Sequence, residues 1–262
     1  MRGFDMGVVA VAVVVIAVTQ SILPYRPIVC TAAPDPARSG FSFGSGGLLV
    51  AYHIGVVEGL RETYGNDLQF VPLAGASCGV IAALCVRMNL SIDEMKESFW
   101  ELLDHVRRYG PQASVTLLRD QLERMLPPNA HELCNRGDFH VELSSSANFR
   151  PFFVSRFESR DDLIDVVCAS CSIPFVTHNA VTPWVFDGIF LNRCDPRVAS
   201  MSPVDCFSFP WQTAPQPGEI RHFPMTIRDY GSGALVPDTN ERYEHLFSLG
   251  KEQANHANHY PR

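Results

Sequence analysis

Between residues 41 and 88 the chain passes twice from a short apolar strand, through a tight turn, into an apolar helix. This repetition restricts the fold more than any other feature. "FSF" at 41–43 alternates like a strand and leads into Gly44, Ser45, Gly46 and Gly47, after which apolar residues recur at helical spacing from Leu48 to Leu60. "FVPLAG" at 70–75 then reads as a buried strand, and Val80 to Met88 as a helix. Two strand–turn–helix units in succession predict an α/β sandwich with a mainly parallel central sheet.

The remaining chain carries elements of the same kind. Ser91-Ile92-Asp93-Glu94 is a capping box that opens an amphipathic helix to about Arg107, and a second helix covers about Val115 to Met125 before Pro127 and Pro128. "FHVELSS" and "FFVSRF" read as sheet strands, Ser159 caps a helix over about 161–171, "PWVFDGIF" and "VDCFSF" are later strands, and "NERYEHLFSLGKEQANH" is a closing helix. With 262 residues, of which 46% are hydrophobic, there is material for one sizeable core. A formal charge of -7 leaves no basic stripe for phosphates and excludes a nucleic-acid binder.

The N-terminus stands apart. An unbroken apolar run from Met6 to Val18 fits a signal-peptide core with "CTAAP" at 30–34 beyond it, or, extended to Leu23, a retained anchor. The organisation expected is therefore a leader over 1–33, a linker over 34–40, a domain over 41–255 and a tail over 256–262. The leader predicts a membrane-associated or secretory-pathway chain, with a lipid droplet as an alternative surface.

Three short segments carry candidate chemistry. Gly75-Ala76-Ser77-Cys78-Gly79 places a serine where a strand becomes a helix; Gly75 and Gly79 allow close approach, and a helix start favours negative charge. Gly44 to Gly47 follows a strand and presents backbone N–H groups that can converge on one oxygen, as an oxyanion hole requires. No GKS/T follows it and Gly-x-Gly-x-x-Gly fails at Leu49, so a nucleotide loop is disfavoured. Asp187, at the end of an apolar strand and beside Gly188, offers a carboxylate that can accept a serine proton. Each segment alone also reads as an ordinary tight turn.

In this order the three segments resemble the patatin-like phospholipase family. "FSFGSGGLLVAYHIGVVEGL", "LRDQLERMLPPNAHEL", "SRFESRDDLIDVVCASCSIPF" and "RYEHLFSLG" are similar to the branch containing adiponutrin and adipose triglyceride lipase, over about residues 40–252. The resemblance implies a patatin-like three-layer sandwich with a nucleophile elbow, cleavage of carboxylic esters in acylglycerols or phospholipids, and a Ser-Asp dyad without catalytic histidine. Ser77 would be the nucleophile and Asp187 the base, with Gly46, Gly47 and Cys78 supplying oxyanion N–H groups. A lipid ester is the implied substrate, a membrane or lipid-droplet surface the implied partner, and no cofactor or metal is implied. The chain departs from the family pattern at Ser45, Val50 and Ile189, where glycines are usual. Ser45 is expected to alter the loop path, and Ile189, beside the base, to crowd the acyl group or displace the aspartate.

Two other readings stay open. An α/β-hydrolase triad would recruit His222, which follows Asp187 in the required order. A catalytically weak lipid-binding or regulatory protein would retain the fold with altered loops. Tyr52 and His53 read as packing residues, and Phe99, Trp100 and Leu103 as a core-facing stripe. Asp161, Asp162 and Asp165 read as helix-start charges and solvated groups rather than metal ligands, and Cys168 and Cys171 as small apolar side chains. Eight irregularly spaced cysteines fit no complete disulfide framework.

Overall fold

The computed structural model describes residues 40–146, 150–173, 176–177, 185–188, 201–206, 220 and 233–257. Its strands are β1 (Phe41–Phe43), β2 (Leu73–Ala76), β3 (Phe139–Ser145), β4 (Pro151–Val154), β5 (Val185–Phe186) and β6 (Ser202–Val204). They form one sheet in the order β4-β3-β2-β1-β6, with β5 pairing to β3. β1 runs parallel to β2 and β6, and β2 parallel to β3, while β4 and β5 are antiparallel to β3. The helices are α1 (Val50–Tyr64), α2 (Cys78–Arg87), α3 (Ile92–Tyr109), α4 (Ser114–Met125), α5 (Ala130–Arg136), α6 (Arg160–Ser170) and α7 (Asn240–Ala257). The result is the three-layer α/β sandwich with a mainly parallel sheet that the strand–turn–helix repeat predicts.

Local chemistry explains the helix starts. The Ser91 hydroxyl accepts the Glu94 N–H at 3.4 Å and so caps α3. At α6 the Ser159 hydroxyl accepts the Asp162 N–H at 3.1 Å, while the Asp162 carboxylate accepts the Glu158 N–H at 2.9 Å. Asp162 is thus a capping residue, and Asp165 is ion-paired with Arg119.

Helices α1 and α7 meet backbone to backbone. A Cβ at Gly55 would lie 2.0 Å from the Phe247 carbonyl oxygen, and one at Gly250 would lie 2.1 Å from that of Tyr52. Glycine at both contacts is therefore a packing requirement. Lys251 closes the rim, 2.9 Å from Glu58 and 2.7 Å from Glu62. Phe99 of α3 packs edge-on against Tyr243 and Phe247 of α7, with ring centroids 5.1 and 5.4 Å away. Phe99 and Leu103 are buried and Trp100 packs against the same core, as the sequence predicts for that stripe.

Four expectations need correction. The strand assigned to 70–75 is Leu73–Ala76, because residues 65–70 close into a 3-10 turn and Pro72 lacks the N–H for a ladder bond. The strand assigned to "VDCFSF" is the preceding Ser202–Val204, and residues 207–209 lie outside the described residues. Helix α5 is missed by periodicity, since its seven residues are too few to establish a repeat. The membrane-associated or secretory localisation is also overturned. Among the described residues no helix is long and apolar enough to cross a membrane, and the leader on which that expectation rested lies outside them.

Candidate active site

The site forms where β1, β2 and β5 end together. In the β1–β2 register Phe43 stands beside Gly75, so the glycine loop and the Ser77 turn leave the same edge of the sheet. β2 pairs with β3 only as far as Ala76 opposite Glu142. Beyond that point Ser144 of β3 pairs with β4 on one side and with Phe186 of β5 on the other. β5 therefore fills the slot that β2 leaves on turning away, and it runs antiparallel to β3 toward the end of β2. Asp187, the next residue, arrives directly at Ser77.

Ser77 sits at φ 51° and ψ -130° immediately before α2. Positive φ strains a residue with a Cβ by about 1–3 kcal/mol, and such strain concentrates at functional turns. The flanking glycines make the turn possible. A Cβ at Gly79 would lie 2.3 Å from the Phe43 carbonyl oxygen, and one at Gly75 would lie 2.4 Å from the Val80 Cα. The Ser77 N–H donates to Ser170 Oγ at 3.0 Å, and the Ser170 hydroxyl donates to the Glu142 carbonyl at 2.7 Å. Ser170 thus fastens the elbow to β3. Sequence reasoning missed it, although it lies within the quoted "ASCSIP" segment.

The Ser77 hydroxyl donates to Asp187 Oδ2 at 2.8 Å across 110 positions of chain. Both residues are buried, with relative exposures of 7% and 2%. Two backbone bonds hold the Asp187 turn: Asp187 N–H to the Ser172 carbonyl at 2.9 Å and Gly188 N–H to that of Ser170 at 3.1 Å. Gly188 is needed where it stands, because a Cβ would approach the Glu142 carbonyl oxygen to 2.6 Å. Burial raises the Asp187 carboxyl to about 8, against the opposing hydrogen bond from Ser77 and with a further upward push from Cys78. A carboxylate with that proton affinity is a far better base than an ordinary aspartate.

The glycine loop lies alongside. Gly46 leads into a 3-10 turn over Gly47–Leu49, and Gly47 has φ 55°. A Cβ on Gly47 would lie 2.1 Å from the Ala234 carbonyl oxygen. Among the described residues no hydrogen bond engages the N–H of Gly47 or Cys78. Ser45 does more than tolerate the departure from glycine: its hydroxyl donates to the Gly188 carbonyl at 2.5 Å and links the loop to the Asp187 turn. Ile189 and His222 lie outside the described residues.

Beneath the loop, His53 is fully buried with Nε2 2.8 Å from the Gly44 carbonyl oxygen. It is more than packing, since it anchors the loop's first residue. Cys78 and Cys206 flank it. Burial opposes ionisation of Cys78, but hydrogen bonds from Cys206 and His53 carry its thiol below the ordinary range, while burial and the Cys78 contact push Cys206 up. All six described cysteines are free, including Cys168 and Cys171.

A strained serine elbow, a buried carboxylate against its hydroxyl and a glycine loop thus stand together at one edge of a mainly parallel α/β sheet. The Patatin family model, described as patatin-like phospholipase, matches residues 41–199, and the chain belongs to that family. The chain is 32% identical over 142 residues to patatin-like phospholipase domain-containing protein 4 of Homo sapiens, covering 51% of this chain and 55% of that protein. It is 30% identical over 151 residues to 1-acylglycerol-3-phosphate O-acyltransferase Pnpla3 of Mus musculus, covering 53% and 36%. With omega-hydroxyceramide transacylase of Homo sapiens it shares 31% over 154 residues, covering 54% and 27%. The matched regions thus span about half or less of these relatives. The crystal structure of VipD from Legionella pneumophila aligns over 86% of this chain and 67% of that one, with a TM-score of 0.50 and 11% identity, a likeness of fold.

Proposed function

We propose that this chain is a lipid acyl hydrolase that cleaves carboxylic esters of acylglycerols or phospholipids, with residues 41–255 as its catalytic unit. Ser77 Oγ attacks the ester carbonyl as Asp187 takes its proton, and the tetrahedral oxyanion is met by the N–H groups of Gly47 and Cys78 beside Gly46. Collapse expels the alcohol, which recovers the proton from Asp187. Water activated by the same carboxylate then releases the acid. The observation that carries this reading is the 2.8 Å contact between Ser77 Oγ and Asp187 Oδ2. The upward-shifted carboxyl supports it, because a base is most effective with a pKa near the working pH.

A second reading shares every step up to the acyl-enzyme. Two of the relatives are named as an O-acyltransferase and a transacylase. The same intermediate resolved by a lipid hydroxyl instead of water gives acyl transfer.

Product analysis decides between them. Purified protein is incubated with a mixed acylglycerol and phospholipid emulsion, and both free fatty acid and re-esterified lipid are quantified beside Ser77→Ala. Hydrolysis predicts fatty acid in excess and loss of about 10³-fold or more in the variant. Re-esterified lipid in excess would replace hydrolysis by transfer. Folded wild-type protein inert to lipids and to a fluorophosphonate would overturn both and favour a non-catalytic binding protein.

A further inference from the structure

Three side chains from separate parts of the fold meet under the glycine loop. His53 lies on α1, Cys78 opens α2 and Cys206 follows β6. Their potential ligand atoms all lie within 4.8 Å of one another, and all three residues are buried. Cys206 Sγ is 3.0 Å from His53 Nε2. Gly46 forms the roof: a Cβ there would lie 2.6 Å from Cys206 Sγ and 3.4 Å from Cys78 Sγ. The serine–carboxylate chemistry uses none of these side chains.

We propose that His53, Cys78 and Cys206 form a binding site for a soft divalent metal ion of the zinc type, seated beneath the glycine loop. Two thiols and an imidazole are a donor set that such ions select over oxygen-rich sites. Here the donors are already gathered in a dry interior, so little ordering remains to be done on binding.

The proton balance is simple. Each thiol loses its proton as its sulfur bonds the ion, and two protons leave with the bound water that the ion sheds. His53 Nε2 now faces the Gly44 carbonyl oxygen at 2.8 Å, which makes it the protonated nitrogen, and Nδ1 has no partner among the described residues. Metal binding moves the ring proton to Nδ1. One ring nitrogen is unpaired in either tautomer, and the Gly44 carbonyl gives up its imidazole donor on binding. The three side chains leave one tetrahedral position, which water fills in an open site. The ion would then clamp α1, the first residue of α2 and the segment after β6 together.

The test uses the full reduced chain and Cd²⁺ as a spectroscopic probe of a zinc-type site. The expected result is one ion per chain with a sulfur-to-cadmium charge-transfer band. Cys206→Ala and Cys78→Ala should each weaken binding at least about tenfold, and Cys168→Ala, outside the cluster, should not. Should either variant fail to fold, the wild type still decides. Zinc should protect two thiols from alkylation relative to chelator-treated protein, and peptide mapping should identify Cys78 and Cys206. Absence of stoichiometric binding, or protection of other cysteines, would overturn the site. None of these readouts depends on turnover, so this site fails or stands separately from the acyl chemistry.

Discussion

Two buried ionisable groups, Arg87 at one end of the sheet and Asp187 at the other, are treated in opposite ways by the same fold. The Arg87 guanidinium donates to the carbonyls of Gln69, Val71 and Asp138 at 2.7, 2.9 and 3.1 Å. These carbonyls belong to segments leading into β2 and β3, and burial lowers the arginine's pKa without depriving it of partners. Among the described residues the Ser77 hydroxyl is the one donor to the Asp187 carboxylate, and burial raises its proton affinity. A charge that three carbonyls engage becomes a rivet, even with its Nε unpartnered among the described residues. A charge left under-solvated is a reagent, because the proton it wants must come from its neighbour.

The largest effect that sharpens this contrast is Asp187→Asn. Replacing the base by a neutral isostere should lower ester turnover by about 10²–10⁴-fold, measured with a short-chain ester on folded protein. Arg87→Met should instead leave fluorophosphonate labelling of the folded fraction intact. It should lower the unfolding free energy by about 3 kcal/mol or more in urea titration, since three carbonyls lose their donor at about 1–3 kcal/mol each. If the arginine variant lost labelling at full stability, the division between rivet and reagent would be wrong.

Smaller effects probe the links. Ser45→Ala removes the bond between the glycine loop and the Gly188 carbonyl, and should reduce kcat about tenfold with KM little changed. The smallest concerns stability. A carboxyl raised in the folded state contributes stability below its unfolded pKa that is lost as pH rises through the folded value of about 8. Asp187→Asn abolishes that penalty, so its Tm should exceed the wild type's by a few degrees at pH 9, and the two should coincide at low pH. Thermal scans at two pH values check it.

What the sequence made legible was local. Ser77, with its glycines and the helix that follows, is a strand–turn–helix written in consecutive residues, as is the loop after β1. The Asp187 turn could be named from Asp-Gly, but its meeting with Ser77 depends on β5 entering the slot beside β3, a pairing that no short motif encodes. The same reason hides Ser170, which acts on a backbone N–H 93 positions away. It also hides the His53–Cys78–Cys206 cluster, whose members share no spacing. Ser45 read as a defect because its hydroxyl has a use only when Gly188 is brought beside it.

The central claim is that Asp187 acts as the base for Ser77, and the pH dependence of fluorophosphonate labelling at Ser77 tests it most directly. Among the described residues Cys78 and Cys171 are the titratable groups that bear on this carboxyl, so the profile is compared in Cys171→Ala to assign the inflection. The account predicts a labelling rate that rises with pH to half its maximum near 8, in wild type and Cys171→Ala alike, and that is lost in Asp187→Asn. A rate independent of pH between about 5 and 9, or one that survives in Asp187→Asn, would contradict it.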